Sequence, residues 1–290
     1  MRTHILALSL TLAAGAAVAQ TTMDQRRPAA PDGLVEIENS AGAIRVIGWN
    51  RNEVAVSGTL GRRASGLGFS GDPHRTRIEV QAEGNPHAVH AELEVHVPAG
   101  SRLEIDSYAA SITITDVTGA VKAETVNGSI SMTGGSKEVN LQTVNGSVEV
   151  TSPANRVHAE SVNGSVTVRD ASGEVDASTV NGRLVVVGGT FQRARLETVS
   201  GSLRFEGDLA KKATLDAETV SGSVEVVLPA GVAADFSVST FSGDIENELG
   251  PAAQKSSRYT SEKSLSFSTG AGGAKVSVQT LSGAIRLRKR

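Results

Sequence analysis

A four-residue phrase recurs along the chain at a fixed interval, and this repeat constrains the fold more than any other feature. Thr-Val-Asn-Gly or Ser-Val-Asn-Gly stands at 125–128, 143–146, 161–164 and 179–182, so the glycines are spaced by 18 residues. Relatives ending in Ser-Gly follow at 198–201, 219–222, 240–243 and 280–283. Such a period is typical of stacked repeats, in which each repeat buries its apolar side against the next.

Apolar residues fall into columns when the repeats are aligned on these glycines. The position two after the glycine is occupied by Ile112, Ile130, Val148, Val166, Leu184, Leu203, Val224, Ile245 and Ile285. The positions five and seven before it are also apolar, and the residue between those two is polar in most repeats. Alternation with period 2 predicts strands with one buried face. Each repeat therefore contains two short strands, and nothing has helical periodicity.

Two topologies fit this pattern. In a parallel β-solenoid, rungs of about 18 residues stack on one another, and Asn127, Asn145, Asn163 and Asn181 form a ladder. In an antiparallel meander, each Asn-Gly would close a hairpin, which is its commonest role. We favour the solenoid, because the apolar pattern changes parity just before each glycine, as expected where a strand turns a corner.

The chain divides into four segments. Residues 1–19 read as a secretory signal, with Arg2, an apolar run at 5–18 and an Ala-Val-Ala cleavage site at 17–19. Residues 20–33 are expected to be a flexible linker, and 34–100 an N-terminal β capping region. Residues 101–290 are predicted to be the solenoid repeats, with a loop at 247–263. No other segment is apolar and long enough to span a membrane, so the mature chain is expected in the periplasm or outside the cell.

Composition excludes several classes of function. The chain has no cysteine, which excludes disulfides, thiolate metal sites and a cysteine nucleophile. The formal net charge is −3, and this gives no electrostatic reason to bind nucleic acid. Aromatic residues make up only 3% of the chain, which suits a thin aliphatic core. No motif for a catalytic site or a cofactor is present.

The recurring Val-x-Gly-x-Ile corners, together with the Val-Pro-Ala-Gly and Leu-Pro-Ala-Gly phrases at 97–100 and 228–231, resemble those of a known family. This is the bacterial adhesin-type β-strand-repeat family of unknown function, which is related to autotransporter adhesin head domains. The resemblance covers residues 34–287. It implies an exported β-solenoid and supplies no catalytic residues.

One column offers a candidate binding surface. The position four before each glycine is Asp106, Glu124, Gln142, Glu160, Ser178, Glu197 and Glu218. In a solenoid these side chains would form one exterior stripe, and Glu124, Glu160, Glu197 and Glu218 are its candidate binding residues. A solvated face is the plainer interpretation, since neutral Gln142 and Ser178 interrupt the charge.

A zinc site is not expected. His90 and His96 would stand about 20 Å apart on one strand, too far to share a metal with each other, and His87 could meet His90 only if the strand starts late.

Three functional hypotheses follow. The favoured one is a non-enzymatic exported protein that acts as an adhesin-like or envelope scaffold and binds a cell-envelope or surface component, protein or polysaccharide. The alternatives are a polysaccharide-active β-helix enzyme, which needs paired carboxylates in a groove, and a periplasmic sensor or accessory subunit. No cofactor and no metal is expected.

Overall fold

The structure is a computed structural model that describes residues 21–61, 63–82, 84, 89–252, 254–255 and 262–290. The regular secondary structure of these residues is entirely β-strand. The strands are β1 (Thr21–Pro28), β2 (Leu34–Trp49), β3 (Glu53–Leu60), β4 (Ala64–Asp72), β5 (Arg75–Ala82), β6 (His90–Pro98), β7 (Arg102–Thr115), β8 (Val121–Thr125), β9 (Ile130–Thr133), β10 (Glu138–Asn145), β11 (Val148–Thr151), β12 (Arg156–Asn163), β13 (Val166–Arg169), β14 (Gly173–Asn181), β15 (Leu184–Ser200), β16 (Leu203–Ser221), β17 (Val224–Leu228), β18 (Ala234–Ser242), β19 (Ile245–Asn247), β20 (Gln254–Lys255), β21 (Lys263–Thr269), β22 (Ala274–Ser282) and β23 (Ile285–Lys289).

Successive repeats stack in parallel. Val139 on β10 pairs with Val121 on β8 and with Val157 on β12, which are its equivalents in the neighbouring repeats. Across the Asn-Gly corner, β11 pairs in parallel with β9 and β13. The two strands of one coil therefore bond to other layers and not to each other. The predicted parallel β-solenoid is confirmed, and the antiparallel meander is wrong.

The predicted columns form the core. The residues two after each glycine are almost completely buried from Ile112 to Val224 and again at Ile285, and only Ile245, in the outermost layer, is half-buried. On the other strand of each coil, the residues seven and five before the glycine are buried as well, as Val139 and Leu141 show. Equivalent aliphatic side chains thus lie over one another through the rod, which removes their apolar surface from water.

The predicted asparagine ladder is confirmed. The Nδ2 of Asn145 donates to the Oδ1 of Asn127 at 2.9 Å, and the same bond links Asn163 to Asn145 and Asn181 to Asn163 at 3.0 Å.

The glycine of each corner lies against the preceding corner. A Cβ added at Gly146 would lie 2.0 Å from the carbonyl oxygen of Gly128, so only glycine fits there.

The layers at the two ends do not follow the order of the chain. From one end of the rod to the other they are β5 with β6, β2, β7, β8 with β9, β10 with β11, β12 with β13, β14 with the start of β15, the end of β15 with the start of β16, the end of β16 with β17, β22 with β23, and β18 with β19. The last coil of the chain, β22 and β23, is therefore inserted inside the stack.

The N-terminal segments differ from their expected roles. The expectation of a flexible linker at 20–33 is wrong for Thr21–Pro28, because β1 pairs antiparallel with β3 along its whole length. Arg27 on β1 also donates to the carbonyl oxygens of Phe69 and Gly71 on β4. Within the expected capping region 34–100, β2 is itself a coil of the rod, while the antiparallel strands β3 and β4 cover β6 and β5.

At the other end, β21 pairs antiparallel with β18, and β20 pairs antiparallel with β21. Phe267 on β21 stacks on Phe236 of β18 with ring centroids 4.5 Å apart. Within the expected loop at 247–263, Asn247 ends β19 and Gln254–Lys255 form β20. The predicted signal segment 1–19 lies outside the described residues.

Candidate functional site

The last residues before each corner glycine alternate between side chains that point outward and a side chain that is buried. In β10, Gln142 points outward, Thr143 is buried, and Val144 points outward again with 39% of its surface exposed. The strand therefore keeps its period-2 alternation up to this point, with a threonine inside and a valine outside. Because the coils stack in register, these three positions become three parallel columns along the rod.

The first is the carboxylate column. It contains Glu79, Glu38, Asp106, Glu124, Gln142, Glu160, Ser178, Glu197, Glu218, Gln279 and Ser239, in order along the rod. Sequence analysis predicted its central part as one exterior stripe, and the structure places Glu124, Glu160, Glu197 and Glu218 there. A binding role for these four residues stays a prediction.

Basic neighbours neutralise some of this column. Lys122 lies 2.8 Å from Glu124, and this hydrogen bond, with the negative charge of the carboxylate, raises the pKa of Lys122. Arg195 lies 2.6 Å from Glu197, which raises the pKa of Arg195 in the same way. No ion pair joins Glu218 to a basic side chain in the described part of the chain, but its negative charge also helps to raise the pKa of Arg195.

The second is the valine column, which sequence analysis missed. It contains Tyr108, Val126, Val144, Val162, Val180, Val199, Val220, Leu281 and Phe241, in order along the rod. Val162 is half-buried, and the other members are exposed, from 36% at Val126 to 57% at Phe241. The available signal was the parity change before each glycine, which sequence analysis assigned to the corner. The parity change marks an apolar residue on the outer face of each coil. Exposed apolar patches are uncommon in soluble proteins, so this signal is informative.

The third is the threonine column, which lies between the other two. It contains Thr125, Thr143, Ser161, Thr179, Thr198, Thr219, Thr280 and Thr240, all buried. The hydroxyls of Thr143, Ser161 and Thr179 each donate at 2.8 Å to the carbonyl oxygen of the corner glycine one layer back. These bonds fix the corner of one coil to the next.

The three columns form the walls and floor of two open cavities that follow one another along the rod. The first has a volume of about 590 Å³ and extends from Glu79 to Glu160. The second has a volume of about 580 Å³ and extends from Glu160 to Phe241 and Leu281. We call the two together the groove. Of the described residues that line it, none is Lys, Arg or His. The groove is therefore acidic on one wall and apolar on the other.

Metal chemistry finds no support in the described part of the chain, where no group of three or more His, Cys, Asp or Glu side chains is placed to hold an ion. His90 and His96 lie on β6 near Glu92 and Glu94, while His87 lies outside the described residues. Within the same described ranges, no helix is long and apolar enough to cross a membrane.

The profile of the family described as Toastrack DUF4097 matches residues 89–288, more than half of the chain. The chain belongs to the DUF4097 family. This confirms the resemblance to an adhesin-type β-repeat family seen in the sequence. The DUF4097 match begins just before β6 and includes the valine and threonine columns. A search of curated proteins finds none that matches the chain.

Several solved structures resemble this DUF4097 protein in outline, with low sequence identity. A "putative adhesin" from Parabacteroides distasonis is 9% identical, with a TM-score of 0.48, and the match covers 93% of this chain and 98% of the other. A "putative adhesin" from Parabacteroides merdae is 5% identical, with a TM-score of 0.38, covering 92% and 95%. A "putative lipid binding protein" from Parabacteroides distasonis is 12% identical, with a TM-score of 0.36, covering 92% and 96%.

Proposed function

We propose that this is an exported, non-enzymatic binding protein of the cell envelope, and that the groove holds an extended envelope or surface component. The observation that supports it is the valine column, which keeps apolar side chains on the surface in layer after layer beside the carboxylate column. Contiguous exposed apolar side chains are a feature of binding surfaces in soluble proteins.

The uniformity of the groove favours binding over catalysis. Catalysis needs different groups that converge on one reacting atom, whereas here each layer presents the same kinds of side chain. A ligand that lies along the rod would make similar small contacts in many layers, and such contacts add up to affinity without any single strong one. Extended surfaces of this kind are how solenoid proteins bind their partners.

Export is part of the proposal and is supported by the sequence. The basic residue, apolar run and small-residue cleavage site at 2–19 have the features of a secretory signal. Expression of the full chain, with mass spectrometry of the protein recovered from the periplasm and the medium, tests this. A chain that starts at Gln20 is expected, and recovery of uncleaved cytoplasmic protein would overturn it.

Binding is tested by co-sedimentation of the purified mature protein with separated envelope fractions. We expect the protein to sediment with one fraction, and a Val199→Ser, Val220→Ser double variant to remain in the supernatant. The matched control is a Glu149→Gln, Arg169→Gln double variant, because both residues are exposed and lie outside the groove. Sedimentation that the valine substitutions leave unchanged, or none with any fraction, would overturn the proposed function.

A further inference from the structure

The second cavity, between Glu160 and Phe241, lies over three buried hydroxyls that differ from their equivalents elsewhere in the rod. The hydroxyls of Thr198, Thr219 and Thr280 lie in three successive layers and have no hydrogen-bond partner. Each of these side chains is more than nine-tenths buried. A buried hydroxyl without a partner is destabilising, so three in succession call for an explanation.

The backbone of the corner explains why these three hydroxyls differ from their equivalents. The glycines that follow them, Gly201, Gly222 and Gly283, have φ between 150° and 155°. The other hydroxyls of the column, which donate to a corner carbonyl, precede glycines outside the left-handed region. The three layers therefore share a different corner, and this corner removes the internal partner of the threonine.

The walls beside these hydroxyls define the chemistry of a ligand. One wall carries Glu160, Glu197 and Glu218, so an anionic polymer or an anionic lipid headgroup would be repelled. The other wall carries Val199, Val220, Leu281 and Phe241, including the two most exposed members of the valine column. A ligand that fits has positive charge on one side and apolar groups on the other.

An extended polypeptide has this arrangement when basic and apolar residues alternate. Successive side chains of a strand point to opposite sides, so one set would face the carboxylates and the other set the valines. Glu160 and Glu218 are three layers apart, which is about 14 Å at ~4.8 Å per layer. Residues i and i+4 of an extended chain are separated by about 13–14 Å.

We propose that the second cavity binds a polypeptide segment in extended form, with Lys or Arg at alternate positions and aliphatic residues between them. This inference rests on the proposed function and names the class of ligand that the groove takes. Its basic side chains pair with Glu160 and Glu218, and its aliphatic side chains pack on Val199, Val220 and Leu281.

Fluorescence anisotropy with labelled eight-residue peptides tests the proposal on the mature protein. A peptide that alternates Lys and Val is expected to bind, while peptides that alternate Glu and Val, or Lys and Ser, are expected to bind at least about tenfold more weakly. Affinity for the Lys and Val peptide should fall as the salt concentration is raised from about 50 to about 500 mM, because salt screens charges on a protein surface.

Substitutions in the groove test where the peptide binds. Glu218→Gln is expected to weaken binding about threefold, and Val220→Ser with Leu281→Ser about tenfold. A triple variant, Thr198→Val, Thr219→Val and Thr280→Val, should keep or raise the melting temperature, because those hydroxyls have no partner in the free protein. It should bind the peptide as the wild type does, because the three side chains point into the rod. Glu149→Gln, outside the groove, is the control and should bind as the wild type does.

The outcomes separate this proposal from the proposed function. If no peptide binds but the protein still sediments with an envelope fraction in a valine-dependent way, the polypeptide ligand is wrong and the binding function stands. If the Glu and Val peptide binds as well as the Lys and Val peptide, or if Glu218→Gln has no effect, the charge argument is overturned. If neither peptide nor envelope binds, both proposals fail.

Discussion

The same residue type has different energetic roles at equivalent positions of this rod. Thr143 and Thr219 occupy the same column and are both buried. Only Thr143 donates a hydrogen bond, at 2.8 Å to the carbonyl oxygen of Gly128. The hydroxyl of Thr219 is buried without a partner. A threonine in the repeat is therefore stabilising or not according to the corner that follows it.

Replacement of threonine by valine, which has the same shape, measures this difference. Thr143→Val should destabilise the fold by about 1 kcal/mol, because it removes a buried hydrogen bond. Thr219→Val should be neutral or stabilising, because it replaces a buried hydroxyl that bonds to nothing. Urea unfolding of both variants gives the comparison, and equal losses of stability would contradict the assignment of the two hydroxyls.

A charge placed in the core column tests which valines hold the rod together. Val166 is fully buried, whereas Val144 is 39% exposed. Val166→Asp should cost more than about 4 kcal/mol, because it buries an unpaired charge between stacked aliphatic side chains. Val144→Asp should leave the melting temperature within a few degrees of the wild type. Circular dichroism during heating measures both, and an unchanged Val166→Asp would contradict the inward position of that column.

At the scale of the strands, the sequence was most informative about how they pair. Valine and isoleucine at period 2, repeated every 18 residues, predicted the parallel coils and the asparagine ladder, because both depend only on the repeat. The interpretation of Val144 and its equivalents was incomplete, because one parity change fits both a corner and an exposed apolar residue. The unpartnered hydroxyls could not be predicted from the sequence, since they depend on the backbone φ of glycines such as Gly201.

One ion pair links two strands that are distant in sequence and makes stability depend on pH. Arg75 on β5 donates two hydrogen bonds to Glu36 on β2, at 2.7 and 2.9 Å. These bonds from Arg75, followed by the positive charges of Arg75 and Arg77, lower the pKa of Glu36 below its ordinary value of 4.5, against the opposing effect of burial.

The sign of the pH dependence follows from that lowered pKa. The folded state holds the charged form of Glu36, so its contribution is complete above pH 4.5 and is lost as the pH falls through the lower pKa of the folded state. Glu36→Gln should therefore be less stable than the wild type at pH 7, and the difference should shrink on acidification below 4.5. Denaturant titrations from pH 7 to about 3 measure this. A difference that grows toward acid would contradict it.

At the scale of the whole molecule, the order of the layers distinguishes this rod from a simple sequential stack. The coil of β22 and β23 lies between the end of β16 with β17 on one side and β18 with β19 on the other. The repeat markers gave no sign of this, because Thr280 to Gly283 look like any other copy. Layer order is set by long-range pairing, which the local pattern does not contain.

Truncation tests the inserted coil. Removal of residues 274–290 should abolish protection from hydrogen exchange in β17, β18 and β19, because both neighbouring layers lose their partner. The matched control deletes residues 147–164, one whole 18-residue repeat, and joins Gly146 to Ser165 in an unchanged Asn-Gly-Ser corner. That shortened rod should fold cooperatively. Normal protection of β18 in the truncated chain would show that the inserted layer is dispensable.

The inserted coil also sets the time at which the groove is completed. A chain leaves the ribosome, or passes through a membrane channel, N-terminus first. The coil of β18 and β19 is made before its parallel neighbour exists, so it must wait until the final residues arrive to take its place on the rod. Leu281 and Phe241, the most exposed apolar side chains, therefore come together last. A half-delivered chain therefore lacks the end of the groove that Leu281 forms with Phe241.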